Sequence, residues 1–338
     1  MNGVVRHTTQ AMQKVANKTM IEGKVWGGHQ KIVDRFETRL RGTELLHVSK
    51  YLFNSTGKNL RPKIISAMAG AVNVFPESKD SLQTIKKKQE LVMQISEMYH
   101  TASLYHDDVI DNAGLRRGQP SVPAAWSTKH AIMGGDFVLA VAYGMLAEVD
   151  SEEVTSCMSR VVKDLVEGEL LQMSGKVELE DDMDLYEFKC YLKTASLLAN
   201  GCRSVAYLAN EKLADEAEQF GKELGIGFQI VDDILDFTET PEDLGKPGGG
   251  ADILGGIRTA PVILAAKDSP LLQRMLEENV ENVEVIMKAV IEEGGVEKAK
   301  AAAIDHSKMA LLAIENWKES SHKENLKELV ELCINRSM

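Results

Sequence analysis

Six aspartates stand in two motifs that share the same spacing. The first motif is Asp107-Asp108-Val109-Ile110-Asp111 and the second is Asp232-Asp233-Ile234-Leu235-Asp236. In a helix, the outer aspartates of each motif lie on one face, and the middle aspartate points about 100° away. Carboxylates this close repel one another unless a cation lies between them. The pattern therefore favours Mg²⁺, which takes carboxylate oxygens and completes its shell with water and phosphate oxygens.

The residues around the motifs decide between a metal site and a solvated acidic helix end. Apolar side chains recur at helical spacing before the first motif, at Leu91, Ile95, Met98, Ala102 and Tyr105. The second motif lies within the apolar segment 225–237. A solvated helix end is a fair alternative for either motif alone, but not for both. We predict two largely buried helices that face each other and hold several Mg²⁺ ions.

Basic side chains beside breaks in the helical pattern could bind the phosphate groups that such a metal site attracts. These side chains are Lys58 and Arg61 in the run Gly57-Lys58-Asn59-Leu60-Arg61-Pro62, Arg116 and Arg117 before Gly118, Lys193 before Thr194, and Lys246 after Gly245. Each taken alone is better explained as a surface charge. Their position next to the aspartate motifs and the glycines favours a phosphorylated substrate.

The elements that must position these residues are predicted to be helices. The chain has 338 residues with 44% hydrophobic and 5% aromatic residues, and the helical period recurs along nearly all of it. No sustained alternation of period two is present, so a large sheet is not expected. We predict an all-α protein, a single large helical bundle with a central cavity. Residues 1–25 form a separate N-terminal segment, and residues 26–338 form the domain.

Charge and cysteine content exclude several classes of protein. The net charge of −12 argues against nucleic-acid binding. Four widely spaced cysteines predict free thiols in a reducing compartment. Asp136 interrupts the most apolar stretch, 131–149, so no membrane-spanning run is predicted. The N-terminal two dozen residues carry more Lys and Arg than Glu, which favours a mitochondrial location in a eukaryote and a cytoplasmic one otherwise.

The motifs, in this order and spacing, resemble the trans-polyprenyl diphosphate synthases, and the likeness runs from about residue 25 to the C-terminus. The resemblance implies the isoprenoid synthase fold and a Mg²⁺-dependent prenyltransferase that joins isopentenyl diphosphate to an allylic diphosphate such as farnesyl or geranylgeranyl diphosphate. It implies a homodimer, with a heteromer as the alternative, and at most transient membrane contact.

The resemblance also implies a role for each residue. Metal ligands would be Asp107, Asp108, Asp111, Asp232, Asp233 and Asp236. Arg116, Lys193 and Lys246 would contact the allylic diphosphate, with Thr194 and Gln229 at the reacting centre. Lys58, Arg61, His100 and Arg117 would hold isopentenyl diphosphate. No side chain is typical of a general base, and the resemblance implies that the released diphosphate takes the proton.

Product length is predicted from the residues that precede the first motif. The short-chain members of the family that this chain resembles carry an aromatic residue where this chain has Ala102 and Ser103. Small residues there leave room for a chain beyond C20, in the C30–C50 range of quinone side chains. Met98 and Tyr99 would restrict the chain more deeply. Tyr105 stands where the family suggests an aliphatic residue.

Four alternatives remain open at this point. A shorter product, as from a farnesyl or geranylgeranyl diphosphate synthase, keeps the chemistry. A partner-dependent subunit of a heteromeric synthase would carry the same residues. A terpene cyclase usually lacks the second aspartate motif. A di-iron bundle needs Glu-x-x-His pairs such as Glu97–His100, but it leaves the six aspartates unexplained.

Overall fold

The computed structural model describes residues 27–40, 42–53, 59–116, 118–173, 183–238, 253, 256–277 and 282–334. Within these ranges the chain is almost entirely helical, as the sequence predicts. The first half contains α1 (Gly28–Arg39), α2 (Glu44–Tyr51), α3 (Leu60–Val72), α4 (Leu82–Ile110), α5 (Val122–Ala125), α6 (Thr128–Val149) and α7 (Glu152–Met173). The second half contains α8 (Met183–Cys190), α9 (Ser196–Ala209), α10 (Ala214–Thr238), α11 (Ala260–Ala266), α12 (Pro270–Glu277), α13 (Val283–Glu292), α14 (Gly295–Ala313) and α15 (Ser321–Ile334).

Within the described ranges, two short strands and two turns that are not α-helical interrupt this pattern. A two-residue antiparallel pair, β1 (Leu115–Arg116) and β2 (Gln119–Pro120), follows the first aspartate motif. A 3₁₀ turn covers Glu211–Leu213, and a π-helical turn covers Tyr191–Ala195 between α8 and α9. The π turn carries Lys193 and Thr194. Such turns are rare and frequently lie at functional sites.

Two of the long helices begin at a serine whose side chain caps them. The Ser81 hydroxyl accepts a hydrogen bond from the Thr84 amide at the start of α4, and Ser127 does the same for the His130 amide at the start of α6. These bonds satisfy amides that a helix leaves unpaired in its first turn. The apolar faces of α4 and α6 pack along each other, and the main core also takes buried residues from α1, α3, α7, α9, α10, α14 and α15.

Helix α6 differs from its prediction. Thr128–Val149 is long and apolar enough to cross a membrane, with a mean hydropathy of 1.5 over its most apolar window. The prediction that Asp136 excludes such a segment is therefore wrong by length and composition. Within the described residues, 44% of that window is buried, and the helix packs against α4. A core helix of this kind meets the same two criteria as a membrane span.

Candidate active site

The aspartate motifs end α4 and lie near the end of α10, as predicted. In both motifs the middle aspartate is buried, with Asp108 0% and Asp233 5% exposed, while the outer aspartates are more accessible. The middle and outer aspartates of each motif therefore differ in burial. This difference follows from the helical period, since the middle position points away from the face that the outer positions share.

Asp108 turns inward and pairs with Arg116. The Arg116 Nε donates to Asp108 Oδ1 at 2.7 Å, and a second guanidinium nitrogen donates to the same oxygen. Asp108 Oδ2 is buried without a hydrogen-bond partner. Because an unpaired carboxylate oxygen is costly to bury, this atom indicates a missing donor or cation.

Asp233 is surrounded by donors from three elements. Its Oδ2 accepts a hydrogen bond from the Tyr186 hydroxyl at 2.6 Å and one from the Ala260 amide at 3.4 Å. Its Oδ1 accepts from Gln229 Nε2 at 2.9 Å. The Gln229 carbonyl oxygen in turn accepts from the Thr194 hydroxyl at 2.8 Å. The second motif is thereby connected to the π turn.

Lys193, the residue next to Thr194, is held on the side of the first motif. Its Nζ lies 2.6 Å from Glu169 Oε2 and 2.8 Å from Gln172 Oε1, both on α7. Gly168 permits this approach, because a Cβ there would lie 2.7 Å from Lys193 Cγ. Adjacent residues of one turn thus face the two aspartate motifs.

Lys193 and Glu169 both influence the pKa values of aspartates in the first motif. Burial raises the pKa of Asp107 to about 6; Lys193 and Arg116 oppose this rise, and Glu169 and Asp111 add to it. Burial and the Glu169 carboxylate also raise the pKa of Asp111. Three carboxylates therefore crowd a space that contains two cationic side chains.

The predicted pocket for isopentenyl diphosphate is partly described. Arg61 on α3 lies 3.2 Å from His100 on α4, nitrogen to nitrogen. The neighbouring Glu97 lies 3.3 Å from His29. An arginine beside His100 does not suit a di-iron site, which would place a cation against a cation. Lys58, Arg117 and Lys246 lie outside the described residues, so their roles stay predictions.

The predicted chain-length residues lie on α4 below Asp107. Met98, Tyr99 and Ala102 are fully buried or nearly so, and Ser103 is half-buried. All four lie in the part of α4 that packs against α6 and the main core.

Sequence reasoning missed Glu169, Gln172 and Tyr186. A usable signal existed for two of them. Glu169 and Gln172 belong to a polar stripe on α7 that also contains Asp164 and Gly168, and polar residues at these intervals share one side of a helix. Tyr186 gave no such signal, because only the tertiary fold brings α8 to Asp233. Among the described residues, no group of three or more His, Cys, Asp or Glu side chains is close enough to hold a metal by itself.

Comparisons with known proteins agree with this site. The profile of the Polyprenyl synthetase family matches residues 43–293. The human all trans-polyprenyl-diphosphate synthase is 35% identical over 307 residues, covering 89% of this chain and 73% of that protein. The mitochondrial solanesyl-diphosphate synthase 1 of Oryza sativa subsp. japonica is 38% identical over 299 residues, covering 84% of this chain and 69% of that protein.

A solved structure extends the likeness to the fold. The polyprenyl synthase of Caulobacter crescentus, crystallised with calcium and isoprenyl diphosphate, superposes with a TM-score of 0.81 at 25% identity, covering 97% of each chain. The fold is thus the all-α isoprenoid synthase fold. From its sequence, its fold and its two aspartate motifs, the chain belongs to the polyprenyl synthetase family, among the trans-polyprenyl diphosphate synthases.

Proposed function

We infer that this protein is a chain-elongating prenyltransferase that adds isopentenyl diphosphate to an allylic diphosphate, head-to-tail and in trans, to give a long-chain all-trans polyprenyl diphosphate. One observation carries the inference. The two residues Lys193 and Thr194 connect to different aspartate motifs, Lys193 through its position beside Asp107 and Thr194 through Gln229 to Asp233. A single substrate diphosphate at this turn would contact both motifs.

The donor set fits a divalent cation. The unpaired Asp108 Oδ2 and the carboxylates of Asp107, Asp111 and Glu169 offer hard oxygen ligands of the kind that Mg²⁺ prefers, and diphosphate and water oxygens would supply the rest of its shell. We propose that the accessible outer aspartates of both motifs hold Mg²⁺. The predicted ligand roles of Asp108 and Asp233 stay predictions. Bound Mg²⁺ would neutralise the diphosphate and make it a better leaving group.

The protein's own residues orient the two substrates. Arg116, which is paired with Asp108, and Lys193, which is paired with Glu169, bind the allylic diphosphate. Arg61 and His100 hold isopentenyl diphosphate. When the allylic carbon–oxygen bond breaks, apolar walls exclude water from the cation, and the isopentenyl double bond attacks it. The adduct then loses a proton, which we assign to the released diphosphate.

The length and use of the product follow from the relatives. The named relatives include all trans-polyprenyl and solanesyl diphosphate synthases, which supports a long product and a role in quinone side-chain supply. We propose farnesyl or geranylgeranyl diphosphate as the primer and a homodimer as the working unit. The mitochondrial solanesyl-diphosphate synthase among the relatives supports a mitochondrial location in a eukaryote.

Product analysis tests this function. Purified protein is incubated with farnesyl diphosphate, labelled isopentenyl diphosphate and Mg²⁺, and the dephosphorylated products are sized by reversed-phase chromatography. We expect a product beyond C20 that disappears with a chelator and in Asp107→Asn and Asp232→Asn. Asp150→Asn is the matched control, since Asp150 is exposed and asparagine tolerates its positive φ of 51°.

Two results would contradict the proposal. A volatile hydrocarbon made from the allylic diphosphate alone would indicate a cyclase. Absence of product with both substrates and Mg²⁺ would leave the partner-dependent subunit as the better description.

A further inference from the structure

Asp164 is a buried carboxylate on α7 that the proposed mechanism does not use. Its side chain is 3% exposed, and its Oδ2 accepts a hydrogen bond from the Ser196 hydroxyl at 2.5 Å. Its Oδ1 lies 3.9 Å from the Nζ of Lys163, whose side chain is exposed to solvent. Because a carboxylate is costly to bury, its position beside Ser196 requires an explanation.

Ser196 is the residue that closes the π turn Tyr191–Ala195. Its amide donates to the Tyr191 carbonyl, five residues earlier, and a hydrogen bond of this spacing defines a π turn. Its carbonyl accepts from Asn200 Nδ2 at 2.9 Å, and its hydroxyl donates to Asp164. The backbone and the side chain of Ser196 are therefore fixed together. Of these contacts, only the one with Asp164 comes from another helix.

Asp164 also lies close to the first residue of the turn. Burial and the Asp164 charge raise the pKa of Tyr191, and a hydrogen bond with Ser196 opposes the rise. The same carboxylate therefore acts on Tyr191 and on Ser196, the two residues whose backbone atoms form the π hydrogen bond. A change at Asp164 should consequently affect both ends of the turn.

Helix α7 contacts the π turn a second time, one helical turn beyond Asp164. Gly168 leaves room for the Lys193 side chain, and Glu169 pairs with its Nζ at 2.6 Å. Residues four apart share a helix face, so Asp164 and Gly168 lie on the side of α7 that packs against the turn. Helix α7 thus holds both Lys193 and the residue that closes the turn.

The register of the π turn decides where its side chains point. A π turn contains one residue more than an α-helical turn, so a shift of the turn by one position would rotate a side chain by about 100°. In the observed register, Lys193 lies beside Asp107. Thr194 donates to Gln229 and is thereby connected to the second motif. A shift of the turn would separate one of these side chains from its motif.

We propose that Asp164 is a positioning residue for prenyl transfer. Through Ser196 it fixes the π turn in the register that directs Lys193 to the first motif and Thr194 towards the second. The inference rests on the proposed function and adds to it a residue that touches neither substrate. Its effect is on the allylic diphosphate, which the π turn binds, and not on isopentenyl diphosphate, whose proposed pocket lies on α3 and α4.

Steady-state kinetics of full-chain variants tests the inference, with each substrate varied in turn. Asp164→Ala and Ser196→Ala should each raise the KM for the allylic diphosphate roughly 10-fold, as expected for the loss of a hydrogen bond to a charged group. The KM for isopentenyl diphosphate should not change. Asp164→Asn keeps an oxygen that can accept from Ser196 and should restore most of the affinity. The double variant should be no worse than the weaker single variant.

Ser204→Ala is the matched control for a loss of stability without a shift of the turn. Ser204 is a buried serine of the same helix α9, and its hydroxyl donates to the Asn200 carbonyl at 2.6 Å. Urea unfolding measures the stability of every variant. A merely structural role would reduce the amount of active protein, which lowers kcat but leaves both KM values at the wild-type level, as expected for the control.

The outcomes separate this inference from the proposed function. If the wild type is active and Asp164→Ala leaves the allylic KM unchanged, or raises both KM values alike, the inference fails and the function stands. Additive losses in the double variant would show that Asp164 acts independently of Ser196 and would also overturn the inference. If the wild type makes no polyprenyl product, both fail together. If Asp164→Ala does not fold, Ser196→Ala decides the question, since it removes a single hydroxyl group.

Discussion

At the residue scale, the middle aspartate of each motif is already engaged by the protein. Asp108 pairs with Arg116, and Asp233 accepts hydrogen bonds from Tyr186 and Gln229. The outer aspartates are more accessible and share one face of their helix. The two motifs are therefore alike in a second respect besides their spacing, since in each one the buried middle aspartate contacts neighbouring groups of the protein and the flanking aspartates are the more accessible pair.

Glu169 should act by positioning Lys193. Glu169→Ala removes the charged partner at 2.6 Å, so Lys193 loses its fixed orientation. A charged hydrogen bond contributes about 1.5–3 kcal/mol, so we expect kcat/KM to fall roughly 10-fold to 100-fold. Glu169→Gln keeps an acceptor and should lie between this variant and the wild type. Steady-state kinetics with varied allylic diphosphate measures the effect.

A double-mutant cycle distinguishes positioning from an independent role of Glu169. If Glu169 acts through Lys193, then Glu169→Ala combined with Lys193→Ala should be no slower than Lys193→Ala alone. Additive losses would contradict the assignment. Glu167→Ala is the control, because Glu167 is on the same helix but contacts Lys163 on the exposed side.

The sequence could predict the aspartates but not their neighbours, for a physical reason. The motifs and their buried helices follow from local spacing and apolar period, which a single sequence contains. The Glu169–Lys193 and Tyr186–Asp233 contacts join distant segments, so only the packing of α7 and α8 reveals them. The contact between Asp108 and Arg116 could not be predicted either. Arg116 lies in β1, and the β1–β2 pair sets the turn that brings it close to Asp108.

At the scale of elements, the site depends on how closely α10 approaches the π turn. Gly225 on α10 lies against Ala195, and a Cβ at Gly225 would lie 2.5 Å from the Ala195 Cα. Backbone atoms cannot give way as a flexible side chain can. The absence of a side chain at Gly225 therefore fixes the distance between the second motif and Thr194.

Gly225→Ala should consequently weaken both stability and activity. Overpacking of this kind typically costs about 1–3 kcal/mol, and the displaced α10 should weaken the Thr194–Gln229 contact. Chemical denaturation and product formation measure the two effects. Gly144→Ala is the matched control in open space, where alanine should stabilise α6 by up to about 1 kcal/mol. Equal changes in stability and product formation in the two variants would contradict the tight contact between Gly225 and Ala195.

His306 on α14 joins α8 and α10 through two ion pairs, of which the pair with Glu223 is buried. His306 Nδ1 lies 2.6 Å from Glu223 Oε2, and its Nε2 lies 3.5 Å from Glu187 Oε1. Burial lowers the pKa of His306, but the hydrogen bond and the charge of these two carboxylates outweigh it, so the net shift is upward from 6.5. Gln219 and Lys222 also face Glu223, at 2.9 Å and 3.8 Å.

This pair predicts a pH-dependent stability. A histidine with a raised pKa contributes fully below its unfolded value of 6.5, and the contribution is lost as pH rises through the folded pKa. His306→Gln should cost roughly 1.5–3 kcal/mol at low pH and progressively less above it. Urea unfolding across this pH range checks the trend. His130→Gln, which removes an exposed pair with Glu44, should change little at any pH, and a pH-independent loss in His306→Gln would contradict the linkage.

At the scale of the whole molecule, an acidic protein must bind an acidic substrate. The chain carries a net charge of −12, and both sides of the site present carboxylates. Arg116 and Lys193 are each paired with a carboxylate of the site, so they offset only part of this repulsion. Diphosphate and Mg²⁺ should therefore bind together and poorly when either is present alone.

Thermal unfolding with inorganic diphosphate tests this mutual dependence. A ligand that binds only the folded state adds about 2.7 kcal/mol of stability at about 100 times its Kd, so Mg²⁺ and diphosphate together should raise Tm by several degrees. Mg²⁺ alone, diphosphate alone and sulfate at equal ionic strength should each raise it far less. Asp107→Asn and Asp232→Asn should lose the joint effect, whereas Asp150→Asn should keep it. An equal rise with diphosphate alone would mean that the cationic side chains suffice, and the aspartate motifs would then need another role.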